Sequence, residues 1–148
     1  MAYGFYDGTS RQEAALYGAG VFAQETEWNE KQELPWEQAE EPDHRALQQY
    51  VKALNTFYQE HPAWYETDFD AEGFEWLSSM DADHSIITFM RYDAKKEERL
   101  LVVCNFTPVT YENFKIGVPV AGKYKEIFNS DQISFGGTGC INARQKSA

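Results

Sequence analysis

The stretch "LLVVCNFTPV", residues 100 to 109, is the most apolar run in the chain. Its aliphatic and β-branched residues suit a pleated, covered surface, so the run reads as a buried strand. Successive side chains of a strand alternate, which puts Leu101, Val103 and Asn105 on one face and Leu100, Val102 and Cys104 on the other. Pro108 has no amide donor and marks the strand's exit. Cys104 raises the question of catalysis. A nucleophilic thiol needs a base and a lowered pKa, and the sequence assigns neither, so Cys104 reads as a small hydrophobe packed in a strand.

Neighbouring segments repeat the pattern. "FEWLSS", "HSIITFMRYD", "RLLVVCNFT", "YENFKIGVP" and "KYKEIFNS" are short strand-like runs about 12 residues apart, separated by turn-like pieces such as "DADH", "DAKKEE" and "VAGK". Such spacing predicts a mainly β fold, half of an antiparallel β-sandwich or a barrel. Residues 131–148 lose the pattern and read as loop or frayed tail. Upstream the period changes. Ala46, Leu47, Tyr50, Val51, Leu54, Phe57 and Tyr58 recur at spacings of three and four, the stripe of a helix over about 43–60. Pro42 and Asp43 suit its start, and His61-Pro62 ends it, because proline disfavours helical backbone at the residue before it.

The totals bound the function. The 148 residues are enough for about one core, and 43% hydrophobic with 16% aromatic residues describes a folded globule. No apolar run approaches a membrane span, and "MAYGFYDGTS" lacks the basic and apolar regions of a signal peptide, so a cytoplasmic protein is expected. Cys104 and Cys140 are too few for a disulfide framework and lack zinc spacing. A net charge of −11 argues against nucleic acid or an anionic membrane as partner. The charge is uneven: residues 1–70 hold 14 acids and 4 bases, residues 71–148 hold 10 acids and 9 bases. The acidic run from Glu25 to Asp43 lacks EF-hand spacing and reads as a solvated face.

Each catalytic constellation fails. There is no GxSxG elbow, and Gly136-Gly137-Thr138-Gly139 has no phosphate-loop lysine. His44, His61 and His84 form no HExxH and fall at helix ends and in a turn. Paired glycosidase acids cannot be chosen from 24 carboxylates. No catalytic residue, metal or cofactor is therefore expected. The aromatics Trp28, Trp36, Trp64, Trp76, Tyr65 and Tyr92 could stack on sugar faces, although packing in a sandwich core is the commoner use of such side chains.

The segments "HPAWYETDFDAEGFEWLSSMDADHSIITFMRYD", "LLVVCNFTPVTYENFKIGVPVAGKYKEIFNSD" and "FGGTG" resemble the C-terminal part of bacterial 1,4-α-glucan (glycogen) branching enzymes, of the α-amylase superfamily. "FAQETEWNE", "LPW" and "DHRALQQYVKALNTFYQEHPA" resemble the end of that family's catalytic barrel. The resemblance covers about residues 21 to 141. It implies an antiparallel β-sandwich of the α-amylase C-terminal type, preceded by a long helix from the end of an (α/β)₈ barrel. Residues 1–62 would be the barrel remnant and 63–148 the sandwich. The family's reaction is a retaining transfer, in which a carboxylate attacks the anomeric carbon, an acid protonates the leaving oxygen, and a glucan 6-hydroxyl replaces water. Its catalytic carboxylates lie on earlier barrel strands without counterparts here, and the His-Asp pairing of its last catalytic motif is absent, so this chain alone is expected to be silent. Glu27, Trp28 and Asn29 are the candidate substrate-side residues, because they follow the last barrel strand; a barrel–sandwich junction is the competing use. α-Glucan is the implied partner. The alternatives are a stand-alone glucan-binding module and a purely structural, self-associating β-domain.

Two departures from the family stand out. Where it carries an apolar strand resembling "GKKLLFMG", this chain has "RQEAALYG", Arg11 to Gly18, and a one-base shift of reading frame converts one into the other. A frame error restored before Phe22 is expected to show as out-of-frame barrel coding in the upstream DNA. At the other end, nothing after Ala143 reads as the sandwich's last strand, which predicts an open edge able to self-associate.

Overall fold

The computed structural model describes residues 30, 31, 33 and 36–148. Glu27, Trp28, Asn29 and residues 11–18, for which the sequence raises expectations, lie outside them. A 3-10 turn, Trp36–Glu40, leads into helix α1, Pro42–Glu60. Pro42 occupies the first turn, where its missing amide costs nothing, and the helix ends at His61, which takes extended backbone (φ −119°, ψ 97°) ahead of Pro62. No residue of α1 is fully buried. Tyr50 and Phe57 carry its contact face, while Leu54 and Tyr58 on the same stripe stay exposed. Among the described residues no helix is long and apolar enough to cross a membrane.

Three strands follow, β1 (Phe74–Asp81), β2 (Ile86–Tyr92) and β3 (Arg99–Asn105), in an antiparallel meander of order β1-β2-β3. Polar turn chemistry closes both hairpins. Asp81 accepts from the His84 amide and Ser85 takes φ 52° between β1 and β2; Asp93 accepts from the Glu98 amide and Lys96 takes φ 58° between β2 and β3. β2 and β3 pair without interruption, Ile86 with Asn105 through Tyr92 with Arg99. The opening stretch is thus a strand with both faces covered: Leu100, Val102, Val103 and Asn105 are buried, Leu101 and Cys104 half-buried. It ends at Asn105, before Pro108. The Asn105 carboxamide oxygen accepts from the amide and hydroxyl of Thr107, and its nitrogen donates to the Val109 carbonyl, so a side chain replaces the ladder and turns the chain.

The last third departs from the expected five strands. "YENFKIGVP" forms no ladder, and "KYKEIFNS" contributes only the two-residue β4, Lys123–Tyr124. Its partner is β5, Lys146–Ser147, within the tail whose sequence predicts a loop or frayed end. The alternating Phe114, Ile116 and Val118 line a cavity on the side of the sheet that also presents Ile86, Leu101 and Val103. The backbone between Pro108 and Pro119 finds no neighbouring strand, and Asn113 breaks it at φ 56°. Both β1 and β3 are edges of the three-stranded sheet.

The core holds Ile86, Met90, Val102 and Val103, with Met90 fully buried. A second, aromatic core ties α1 to the C-terminal third: Tyr50 lies 5.5 Å from Phe135 and 5.9 Å from Phe128, and Phe57 stacks on Phe128 at 5.0 Å.

Candidate functional site

The chain between α1 and β1 docks onto the sheet through charges that the sequence did not single out. Arg91, 8% exposed, donates from Nε to the Ala63 carbonyl at 3.2 Å and from one terminal nitrogen to the Trp64 carbonyl and to Asp68, both at 2.9 Å. The Glu98 carboxylate lies 2.5 Å from His61 Nδ1 with one oxygen and accepts the Ala63 amide at 3.0 Å with the other. The Thr67 hydroxyl donates to the Tyr92 carbonyl at 2.6 Å. These groups satisfy the backbone of an irregular, partly buried segment. They also account for His61. His84 is held by Asp81 at 2.7 Å and packs edge-on against Tyr111, so it too serves a turn.

The aromatics divide. Tyr92 is buried, and its phenol donates to Glu75 at 2.6 Å. Burial, then the Glu75 hydrogen bond, push its pKa up to about 12 from an ordinary 10. The native state therefore holds this proton where the unfolded chain has released it. The stabilisation is complete below about pH 10 and disappears as pH rises toward 12, a loss of roughly 2–3 kcal/mol for two units. Denaturant unfolding across that range should show the loss, and Tyr92→Phe should flatten it.

Trp64 is half-buried, its indole N–H buried without a hydrogen-bond partner. Trp36, Tyr65 and Trp76 are exposed, and Tyr65 pairs with exposed Tyr58 at 5.6 Å. Of these exposed candidates, Trp76 is the one braced, among the described residues, by two neighbouring rings. It stands on edge strand β1, 54% exposed, with Phe74 at 4.8 Å and Phe89 at 5.7 Å holding it edge-on. A register break between Trp76 and Ser78 twists the edge beside it. Phe74 and Trp76 alternate in "FEWL" and so share one face of β1.

Cys104 is not poised for chemistry: burial pushes its thiol pKa up, which disfavours the nucleophilic thiolate. Cys140 is exposed, and both cysteines are free. Iodoacetamide should label Cys140 first in the native protein, with Cys104 reacting at least about tenfold more slowly until denaturant is added, as read by peptide mass.

The "FGGTG" cluster is a clamp. Asp131 accepts from the amide and hydroxyl of Thr138 (2.8 and 2.6 Å) and from the Cys140 amide (2.8 Å), while its carbonyl takes the Gly139 amide at 2.7 Å. Asn129, 1% exposed, donates to Glu126 and to the Cys140 carbonyl.

A covered three-stranded meander with an exposed aromatic edge, and a long helix tied to the C-terminal third, make a mainly β domain. Residues 76–148 match the family model described as alpha amylase, C-terminal all-beta domain, and this part of the chain belongs to that family. Over most of its length the chain is similar to 1,4-alpha-glucan branching enzymes, matching their C-terminal part. It is 46% identical over 127 residues to that of Oceanobacillus iheyensis, covering 86% of this chain and 20% of the relative. With the Aquifex aeolicus enzyme it shares 43% identity over 133 residues, 90% of this chain and 21% of the relative. With one from Clostridium perfringens it shares 46% over 121 residues, 81% and 18%. The chain thus spans about a fifth of the length of these curated relatives.

Proposed function

We propose that this chain serves as the C-terminal β-domain of an α-1,4-glucan branching enzyme, bracing a catalytic barrel and adding a glucan contact remote from the chemistry. The observation that carries the reading is the 46% identity, over 127 residues, to the C-terminal fifth of an enzyme of that name. Residues 63–148 are the domain proper and 1–62 the barrel's end, with the substrate side assigned to Glu27, Trp28 and Asn29. No catalytic residue is assigned within the chain. The glucan contact is assigned to Trp76, whose exposed ring is held by Phe74 and Phe89. Free cysteines fit a cytoplasmic setting. A second reading, self-association, rests on β1 and β3 both ending the sheet unpaired.

Maltoheptaose titrated into the purified chain should change tryptophan fluorescence with saturation near a Kd of about 1 mM. Trp76→Ala should abolish that change, and an iodine-staining assay should record no branching. Absence of a spectral change would remove the glucan contact, and branching by this chain would overturn the accessory role.

A further inference from the structure

The space between the sheet and the C-terminal third is a cavity of about 830 Å³, within the roughly 300–1,000 Å³ of small-molecule sites. Its floor is apolar: the half-buried Leu101, Phe114, Ile116 and Val118 line it, over the packed Ile86 and Val103. Its wall carries Arg99, Lys115, Lys123, Lys125, Arg144 and Lys146, six of the chain's 13 basic residues. None of the six makes an ion pair with a carboxylate among the described residues. Glu126 is the wall's single acidic side chain, and its oxygens are taken by Asn129 and Asn142. In a chain of net charge −11, this concentration of unpaired cations around an apolar hollow sets up a local field of opposite sign.

The geometry points to a binding site for an anionic amphiphile, a long-chain carboxylate whose tail lies on Leu101, Phe114, Ile116 and Val118 and whose head meets the exposed lysines. A glucan has no charge for six cations to meet, and a free phosphate would leave the apolar floor in contact with water. The carboxylate satisfies both surfaces. Charge attraction in a partly water-excluded site is stronger than in bulk solvent, so the head group should matter.

The test is isothermal titration of the full chain, at low salt, with dodecanoate below its micelle concentration and with dodecanol, which has the same tail and no charge. Dodecanoate should bind at one molecule per chain, about tenfold more tightly than dodecanol. The double reversal Lys123→Glu with Lys125→Glu should weaken dodecanoate at least about tenfold and leave dodecanol unchanged. Ile116→Trp, which fills the hollow from its half-buried wall, should weaken both. A thermal melt of each variant reports that it remains folded. No dodecanoate binding, equal binding of the alcohol, or indifference to the charge reversal would each overturn the site. The maltoheptaose titration reads a different face, so the two proposals fail separately.

Discussion

Arg91→Ala is expected to lower stability by about 4 kcal/mol and the melting temperature by roughly 10–15 °C. Four contributions add in one direction. The Ala63 and Trp64 carbonyls lose their guanidinium donor, in a segment where Ala63 is fully buried and Arg91 itself 8% exposed. An acceptor stranded in such a place costs about 1–3 kcal/mol. The vacated space adds a packing loss. The guanidinium also sits 6.0 Å over the Phe74 ring, a contact that alanine removes. The ion pair with Asp68 contributes least, because the Asp68 side chain is 51% exposed and water screens it. Asp68→Asn should therefore cost under about 1 kcal/mol. Urea unfolding of the two variants decides the matter: equal losses would mean that the ion pair, and not the carbonyl bonds, secures the junction. Arg91→Lys should fall near the alanine variant, since an ammonium cannot reach two carbonyls and a carboxylate in one plane.

Gly137→Ala is the second large effect, with an expected loss of about 3 kcal/mol. A methyl group there would lie 2.3 Å from the carbonyl carbon and oxygen of Asp131 and 2.5 Å from its Cα. These are backbone atoms and cannot swing aside. Moving them breaks the Asp131 clamp on Thr138, Gly139 and Cys140 and shifts Phe135, which packs on Tyr50 of α1 at 5.5 Å. Gly122→Ala is the matched control: nothing lies within 4 Å of the added carbon, so its stability should stay within about 0.5 kcal/mol of the parent. Parallel thermal melts check both. A Gly137→Ala protein as stable as the control would show that the loop is not held as the clamp requires.

The sequence predicted the helix and the first three strands because each carries its own periodic signal. The stripe from Ala46 to Tyr58 has one stop, Pro62, and the β2 and β3 runs are too apolar to sit in water. Beyond Asn105 the same logic loses force. Phe114, Ile116 and Val118 alternate as a strand should, but alternation specifies a face and not a backbone partner, and this segment has none. Lys146–Ser147 pairs through backbone alone, with both side chains exposed, so no side-chain pattern could announce it. Arg91 sits within "HSIITFMRYD" as though on a solvent-facing end; only the fold brings the carbonyls of Ala63 and Trp64 to it. The glycine cluster, weighed as a phosphate loop, instead serves an aspartate a few residues upstream. Of the candidate aromatics, Trp76 could be placed from its alternation with Phe74, whereas burial of Tyr92 depended on packing across the sheet.

The short segment after α1 is anchored at three separate points, Glu98 on His61 and Ala63, Arg91 on Ala63 and Trp64, and Thr67 on Tyr92. Three anchors on different residues leave no single bond about which the joint can turn. A rotation of α1 against the sheet at Pro62 would have to break these bonds together, so it costs more than the loss of any one of them.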